Sequence, residues 1–404
     1  MKIEILPNND DRREQLVISF TYIPAILFCL VIYYFYPTSS NNNNKLSSPL
    51  SVPIVQSNDT ITFAVVGDLM CHAPQFKAAK KVGAYDFSYV FESVRPYLSG
   101  ADLCFGNLET VTAGQEYKDY TGYPEFNTPA AYLDGMVSAG FDVATNVNNH
   151  SLDRRFIGVQ NTIDSLDKRG LLHTGTFKNP EDTGKVLLID KKGIKTAVLG
   201  YTFSTNGIPL PAGKEYCISM IDTAHMRRDV ERAKNNHADL IVVFIHWGNE
   251  YERYPNNEQK DIANHLANLG VDFIFGSHPH VLQPAEIIQT PQKPVFVIYS
   301  LGNFVSGQRK PYTDYGTILR LQIIKDGSTG KIKTGNIDFI PTYVSLEKGY
   351  RILPIHDAIL NASSDLPSAL DLSPNDMARM RAIWPEATKH LTNETIGMTP
   401  YQPK

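Results

Sequence analysis

Three histidines follow two apolar runs that are typical of buried strands. Residues 241–245 are all apolar and lead directly into His246, while residues 273–275 lead through Gly-Ser into His278 and His280. Neutral imidazole is the commonest metal ligand in proteins, and ligands bind at the carboxyl ends of strands in open α/β sheets. One histidine in such a place usually only hydrogen-bonds within a loop. The three together predict a metal-binding or catalytic site.

Oxygen and nitrogen donors follow further apolar runs in the same way. These donors are Asp68, Asn107, Glu109, Asn149, His150 and Asn303. Carboxylate and amide oxygens with imidazole nitrogens suit Zn, Mn or Fe, and a pair of ions needs a bridging ligand besides the terminal ones. Together with the three histidines, these residues could supply both kinds of ligand, so we predict a site for one or two divalent ions.

Several of these donors also have an ordinary structural explanation. Asp68 could cap the helix that follows it, and Asn107 could shape a turn. Glu109 could be a solvated loop acid, and Asn303 could only shape the backbone where its strand ends. His72, four residues beyond Asp68, is a weaker candidate for the site.

Alternating strands and helices are expected to bring the donors together. Short runs rich in β-branched and aromatic residues predict strands, and the amphipathic stretches between them predict helices. At Gly100, Gly140 and Gly270 a glycine precedes a strand closely, which suits a left-handed helix end. This alternation predicts a βαβ architecture. Strands are predicted at residues 61–66, 103–105, 143–144, 197–199, 240–245, 273–275 and 295–301, and helices at 87–98, 130–139, 157–169, 223–234 and 258–269.

The amino-terminal part predicts a membrane anchor. Residues 16–36 carry no charge, and at about 1.5 Å per residue this helix would cross the ~30 Å hydrocarbon core of a bilayer. Arg12 and Arg13 precede it, and the first basic residue after it is Lys45. The positive-inside rule therefore places the amino terminus in the cytoplasm and the main domain outside. A cleaved signal peptide is the alternative, but the apolar run is long for one and lacks an evident cleavage site.

The chain divides into five predicted segments. They are a cytoplasmic tail (1–15), the transmembrane anchor (16–37), a flexible linker rich in Ser, Asn and Pro (38–59), the main domain (60–350) and a C-terminal helical extension (351–404). In the extension, Ser373 is expected to cap a helix that begins at Pro374. We expect this helix to pack on the domain as a surface addition.

Composition limits the classes of function. The net charge of −4 gives no electrostatic reason to expect a nucleic-acid partner. The 404 residues, of which 42% are hydrophobic, suit one large or two ordinary globular domains. The four cysteines form no C-x-x-C pair. Cys71 and Cys104 could form a disulfide if their strands are neighbours, although two buried thiols are the simpler expectation.

Six ordered sequence boxes resemble those of the CapA family of bacterial capsule synthesis proteins, which act in poly-γ-glutamate capsule biosynthesis. The resemblance extends from about residue 61 to residue 343, and a membrane anchor before an outside domain also suits that family. The boxes are Gly67-Asp68-Leu69-Met70, Gly106-Asn107-Leu108-Glu109, Asn148-Asn149-His150, and the runs that begin at His246-Trp247-Gly248, Gly276-Ser277-His278-Pro279-His280 and Tyr299-Ser300-Leu301-Gly302-Asn303.

The CapA family is similar in fold to calcineurin-like metallophosphoesterases. The resemblance therefore implies a four-layer α/β/β/α sandwich with a dinuclear centre, preceded here by one transmembrane helix. It implies that Asp68 is the ligand from the first strand and that Glu109 or Asn107 replaces the bridging carboxylate. It also implies that Asn149 is a ligand and that His150 is the acid beside it. On this basis the predicted metal ligands are Asp68, Glu109, Asn149, His246, His278 and His280.

Two departures from the metallophosphoesterase pattern imply an altered metal subsite. Those enzymes carry an Asp-x-His pair on the first strand, and here the second residue after Asp68 is Met70. Their second box reads Gly-Asp-x-x-Asp, and here it reads Gly-Asn-Leu-Glu, ending at Glu109. Phosphoesterase activity does not follow from the fold alone.

If the domain is an enzyme, we expect metal-assisted hydrolysis or transfer. His150 would protonate the leaving group, and Glu250 would act as a general base or support the site. Asn107 and Asn303 are predicted to contact substrate. The loop at residues 115–127 is expected beside the site, with a basic rim for an anionic polymer formed by Lys118, Arg154, Arg155 and Arg253.

Three functions compete at this point. The first is a component of capsule or exopolymer biosynthesis that handles poly-γ-glutamate or a related anionic chain outside the membrane, within a membrane synthase complex. The second is a metallophosphatase that acts on an envelope phosphoester. The third is a non-catalytic subunit that binds polymer or holds the complex together. The resemblance favours the first function.

Overall fold

The computed structural model describes residues 59–361 and 372–402. The predicted cytoplasmic tail and membrane anchor, with nearly all of the linker, lie outside the described residues. Within the two described ranges, no helix has both the length and the apolar character needed to cross a bilayer. Membrane anchoring therefore stays a prediction.

The described residues contain seventeen strands and nine α-helices. The strands are β1 (Asp59–Leu69), β2 (Lys80–Lys81), β3 (Ala84–Tyr85), β4 (Leu103–Leu108), β5 (Val143–Thr145), β6 (Leu172–Thr174), β7 (Leu187–Lys191), β8 (Ile194–Thr202), β9 (Leu240–His246), β10 (Phe273–Ser277), β11 (Leu282–Gln289), β12 (Pro294–Leu301), β13 (Asn303–Val305), β14 (Tyr315–Lys325), β15 (Ile332–Ser345), β16 (Arg351–Pro354) and β17 (Met398–Pro400). The helices are α1 (Ala73–Ala78), α2 (Ser88–Phe91), α3 (Arg95–Ser99), α4 (Ala131–Ala139), α5 (Arg155–Asp167), α6 (Thr223–Asn235), α7 (Asn257–Leu269), α8 (Ile355–Asn361) and α9 (Pro374–Leu391).

Nearly all strands belong to two sheets. The first sheet has nine strands in the order β16-β15-β14-β1-β4-β5-β6, with β13 beside β1 and β17 beside β15. The second has six strands in the order β11-β12-β10-β9-β8-β7. Strands β1, β4, β5 and β6 are parallel, and so are β8, β9, β10 and β12. Each sheet therefore has a parallel part whose strands end at one edge.

The two sheets pack face to face, and helices cover their outer faces. In β1, Phe63 belongs to the core between the sheets and its neighbour Ala64 to the core beneath the helices, as the alternation of side chains along a strand requires. Phe105 of the first sheet stacks on Phe244 of the second, with ring centroids 5.3 Å apart. The predicted mixed α/β class is confirmed, and the layers follow the order α/β/β/α.

Most of the predicted helices are present, but residues 87–98 form two short helices instead of one. Pro96 lies in the first turn of α3. A proline there has no N–H for the bond that a continuous helix would need, so the chain breaks between α2 and α3. Gly140 and Gly270 end their helices with φ of 100° and 91°, as predicted, whereas Gly100 ends α3 with φ of −80°.

The segment after residue 350 is part of the main fold and not a surface addition. Strand β16 pairs with β15, and β17 extends the same sheet. Helix α9 begins as predicted, because the Ser373 side chain accepts a hydrogen bond from the Asp376 N–H. One face of α9 is buried in the core between the sheets through Met380, Ile383, Ala387 and Leu391. An amphipathic helix pattern does not reveal which surface the apolar face will cover.

Cys71 and Cys104 are buried free thiols, so the alternative disulfide is not formed. Their strands are neighbours, as the sequence suggested. Both thiols lie in the core between the first sheet and its helices. Burial raises both pKa values, because the thiolate would lose its hydration there. We infer that these cysteines are structural.

Candidate metal centre

The ends of parallel strands bring the predicted donors together. Asp68 near the end of β1 lies opposite Asn107 of β4, and His246 at the end of β9 lies opposite Ser277 of β10. In-register pairing aligns these ends at one edge of each sheet, and the packing of the sheets places the two edges side by side. All six predicted metal ligands are buried. They are Asp68, Glu109, Asn149, His246, His278 and His280.

Donor atoms of the first ligand group converge near His246. Its Nε2 lies 2.9 Å from Asn149 Oδ1, 3.1 Å from His278 Nδ1 and 3.6 Å from Glu109 Oε1. Two ligands that each lie about 2.1 Å from one ion are about 3 Å apart, so this spacing fits a shared ion. His246 Nδ1 is 3.0 Å from Ser277 Oγ, a contact that orients the ring and leaves Nε2 for the ion.

A second ligand group shares Glu109 with the first. Asp68, Glu109 and His280 place their donor atoms within 4.8 Å of one another, and so do Glu109, His246 and His278. His280 Nδ1 lies 3.0 Å from Asp68 Oδ2, and His280 Nε2 lies 3.8 Å from Glu109 Oε1. Glu109 thus has the position of a bridging carboxylate between two ion sites.

The surroundings of Glu109 fit a bound cation. Its side chain is fully buried, and Oε1 has no hydrogen-bond partner. Burial and the nearby Asp68 carboxylate raise the pKa of Glu109 well above its usual range. In the described part of the chain, no Lys or Arg forms an ion pair with either carboxylate. Such buried carboxylates are costly unless a cation compensates them, and the donor set suits Zn, Mn or Fe.

Burial also keeps the imidazoles of the first group neutral. The pKa values of His246 and His278 lie well below the ordinary value, because both rings are desolvated and other imidazoles are close. Neutral imidazole is the form that binds metal. His278 has a φ of 97°, which residues with a Cβ seldom adopt. Such strain is frequently found at functional sites.

His150 lies beside the ligand groups and is paired with Asp153. Its Nδ1 is 2.8 Å from Asp153 Oδ2, which also accepts the backbone N–H of Phe126 at 2.7 Å. The Phe126 ring packs edge-on against the imidazole, with centroids 4.7 Å apart. These contacts fix the ring and leave Nε2 as the nitrogen that can carry a proton to a reacting group. Asp153 was not predicted, although its place three residues after His150 was a signal.

Asn107 and Asn303, which were predicted to contact substrate, are buried against the ligands. Asn107 Nδ2 donates to Asp68 Oδ1 at 2.8 Å, and Asn303 Oδ1 lies 3.1 Å from His280 Nδ1. Asn107 is only 3% exposed, and Asn303 is 0% exposed. In this structure both amides orient metal-ligand candidates and neither faces the solvent. The sequence pattern placed them at the correct edge but could not show which way each side chain points.

Comparison with known proteins identifies the family. The profile described as "Bacterial capsule synthesis protein PGA_cap" matches residues 62–308. The chain belongs to the PGA_cap family. The PGA biosynthesis protein CapA of Bacillus subtilis (strain 168) is 31% identical over 294 residues, which cover 70% of this chain and 72% of that protein. The capsule biosynthesis protein CapA of Bacillus anthracis is 29% identical over 297 residues, which cover 71% and 68%. The predicted family is confirmed.

Solved structures similar to this PGA_cap chain are more distant in sequence. One is described as a novel phosphatase from Mycoplasma pneumoniae, with 16% identity, a TM-score of 0.42 and coverage of 70% of this chain and 94% of that one. Another is the calcineurin-like phosphoesterase YfkN from Bacillus subtilis, with 13% identity, a TM-score of 0.40 and coverage of 70% and 91%.

The two ligand groups of this PGA_cap protein are unequal. The group around His246 has four donors, counting Asn149, whereas the group around His280 has three. Met70 stands where metallophosphoesterases carry a histidine, and its sulfur lies 3.7 Å from the hydroxyl of Ser306. A thioether is a soft ligand that suits Zn, Mn or Fe less well than imidazole, so the group around His280 offers fewer suitable donors to an ion.

Glu250 lies at the rim of the PGA_cap site and outside the buried ligand groups. It is exposed, and its hydrogen bond to Tyr251, together with burial of that ring, raises the pKa of Tyr251. Its charge also contributes to the raised pKa of Glu109. A role for Glu250 as general base stays a prediction.

The predicted basic rim is partly neutralised by acidic partners. Arg154 and Arg155 both pair with Glu125, at 3.2 Å and 3.4 Å. Arg253 pairs with Glu386 of α9. The first two pairs tie the loop at residues 115–127 to the start of α5. These three arginines therefore stabilise the rim. Because Arg154 and Arg155 share one carboxylate, positive charge remains at the exposed Arg155 and Lys118.

Two further residues at the opening of the site were not predicted. Phe203 is 40% exposed and lies against His278, with ring centroids 4.6 Å apart. Asn206 Oδ1 accepts a hydrogen bond from Asn149 Nδ2 at 3.0 Å. Both residues belong to the loop after β8, where no carboxylate or imidazole follows the strand directly. Nothing in the sequence pattern therefore distinguished this loop.

Proposed function

We propose that this chain is a membrane-anchored, extracytoplasmic PGA_cap protein that hydrolyses or transfers an anionic capsule chain, such as poly-γ-glutamate, at a divalent-metal centre. The observation that carries the metal-dependent chemistry is Glu109, a buried carboxylate with an unpartnered oxygen between two groups of ligands. Membership of the family supports the biosynthetic setting. The uncharged segment at residues 16–36 supports the anchor.

The residues of the site divide into ligands and proton carriers. A divalent ion would supply Lewis acidity and lower the pKa of a bound water. His150, oriented by Asp153, donates a proton from Nε2 to the leaving group. Asn107 and Asn303 keep Asp68 and His280 in place. The residues that would hold the ion or ions are Asp68, Glu109, Asn149, His246, His278 and His280.

Metal content and polymer turnover of the purified full chain test this proposal together. We expect one or two equivalents of Mn, Zn or Fe, and metal-dependent release of shorter products from poly-γ-glutamate. His278→Ala should abolish both. His265→Ala is the matched control, because His265 lies on α7, outside both ligand groups, and its ring is 3.3 Å from the Thr223 carbonyl oxygen. Full turnover in His278→Ala, or a native protein without bound metal, would contradict the proposed chemistry.

The substrate class and the location need separate measurements. Metal-dependent hydrolysis of p-nitrophenyl phosphate, lost in His278→Ala and without action on polymer, would instead favour an envelope phosphoester. For the location, we expect the full chain in the membrane fraction and its main domain open to protease added to intact cells. A chain without residues 1–37 should leave the membrane fraction.

A further inference from the structure

Exposed aromatic side chains gather at the edge that carries the metal centre. In the described ranges, every aromatic residue among the exposed large hydrophobic side chains lies in a loop that follows β4, β8, β9 or β13. These strands end at or beside the edge where the candidate ligands converge. Exposed rings at such an edge indicate a binding surface. The residues are Tyr117, Tyr123, Phe203, Tyr254 and Tyr312.

Two of these loops interlock through reciprocal pairs of a cation and a ring. Lys310 Nζ lies 3.8 Å from the centroid of the Tyr251 ring, and the Arg253 guanidinium carbon lies 4.3 Å from that of Tyr312. Residues 251 and 253 follow β9, whereas residues 310 and 312 follow β13. Each loop thus contributes one ring and one cation. We call these four residues the cation–ring clamp.

The cation–ring clamp is joined directly to the metal centre. The Tyr251 ring lies 6.2 Å from the His280 ring, and the Tyr251 N–H donates to the Pro279 carbonyl at 2.8 Å. Tyr251 and Tyr312 have φ of 70° and 69°. Residues with a Cβ seldom adopt these left-handed values, and strain of this kind is characteristic of ligand clamps.

The two cations of the clamp differ in their acidic partners. Arg253 pairs with Glu386, whose carboxylate also accepts the hydroxyl of Tyr315. Lys310 is exposed and pairs with no carboxylate of the described residues. Asp314, four residues after Lys310, pairs with Arg379, and Glu250 hydrogen-bonds Tyr251. Because Lys310 rests on a ring and not on an acid, its charge is available to an incoming anion.

We propose that the Lys310 ammonium, with the Tyr251 ring beneath it, binds a carboxylate of the substrate chain beside the metal centre. This inference rests on the proposed function. It names the subsite that would bind the anionic chain where it extends away from the metal centre. The other half of the clamp supports a carboxylate as the ligand, because Arg253 already binds one from the protein itself, that of Glu386. The exposed rings nearby offer apolar contact to the methylene groups between successive carboxylates.

Binding of fluorescein-labelled poly-γ-glutamate to the purified full chain, measured by fluorescence anisotropy, tests the subsite. We expect Lys310→Ala to weaken binding about tenfold, as loss of a charge-assisted contact would. Lys310→Arg should stay within about threefold, because guanidinium also stacks on rings. Lys333→Ala is the matched control and should leave binding unchanged. Lys333 is exposed on β15, opposite Ile324 of β14. Ile324 in turn pairs with Thr60, which lies at the other end of β1 from Asp68.

Several outcomes would overturn the subsite. They are unchanged binding in Lys310→Ala, an equal loss in Lys333→Ala, or no binding by the unaltered chain. Polyphosphate of similar length that binds as tightly, with the same dependence on Lys310, would contradict the choice of a carboxylate. Binding that depends on Lys310 without any polymer turnover would support the subsite and contradict the proposed chemistry. Turnover with a KM that Lys310→Ala leaves unchanged would contradict the subsite alone.

Discussion

Glu109 and Asn107 make different contacts in the candidate metal centre. The sequence left open which of them replaces the bridging carboxylate. In the structure the Asn107 amide donates to Asp68 Oδ1 at 2.8 Å, a bond that an ionised aspartate could not donate. Glu109, two residues later, has Oε1 within 3.6 Å of His246 Nε2 and 3.8 Å of His280 Nε2. If the site binds two ions, Glu109 and not Asn107 would therefore be the bridging ligand.

Glu109→Gln should have opposite effects with and without metal. We expect at least a tenfold loss of metal affinity, because the bridging charge is removed. In chelator, we expect the variant to be more stable than the unaltered protein by about 1 kcal/mol, since the amide removes an uncompensated buried carboxylate. Urea unfolding with EDTA and metal titration measure the two effects. Glu231→Gln, at an exposed position on α6, is the control. Lower stability of Glu109→Gln in chelator would contradict the argument.

Asp153→Asn should reduce turnover without removing metal. The carboxylate holds His150 Nδ1 at 2.8 Å and so orients the proton carried by Nε2. We expect kcat to fall about 10- to 100-fold, within the range that acid–base catalysis contributes. Metal content and KM should remain near those of the unaltered enzyme. The exposed Asp134, changed to Asn, is the control. Loss of metal in Asp153→Asn would show that its role is structural.

At the scale of elements, the strand ends were predictable because the signals are local. An apolar run followed at once by His246, or by Gly67 and Asp68, predicts both the strand and the functional residue at its end. Strands β14 and β15 were not predicted, because their apolar residues alternate with polar ones and a search for continuous runs does not detect them. The direction of each side chain depends on sheet register, which pairs residues far apart in sequence.

Gly276→Ala should destabilise the protein by about 2 kcal/mol or more, as overpacking against backbone does. A Cβ at Gly276 would lie 2.0 Å from the Tyr299 carbonyl oxygen. Strands β10 and β12 would have to separate just before His278, so metal affinity should fall as well. Gly184→Ala is the control, because a Cβ there meets no atom within 4 Å. Equal urea midpoints for the two variants would contradict this account of the strand end.

At the scale of the whole molecule, the predicted boundary at residue 350 was the main error of the sequence interpretation. The family resemblance ends near residue 343, so beyond it the sequence pattern predicted only one local helix. The fold continues through them, since β16 extends the first sheet and α9 buries Met380 and Leu391 between the sheets. Ser345 Oγ also donates to Asp376 of α9 at 2.8 Å, which fixes the helix to the end of β15.

A chain that ends at residue 361 should therefore fail to fold. Helix α9 contributes four buried apolar side chains to the core between the sheets. At about 1.5–3 kcal/mol for each large side chain, their loss approaches the 5–15 kcal/mol by which domains are stable. The full chain with Met380→Ala should lose about 2–5 kcal/mol, whereas the exposed Arg381→Ala should change little. Circular dichroism and urea unfolding measure both effects. A cooperative, soluble truncated chain with native metal affinity would show that α9 is a dispensable addition after all.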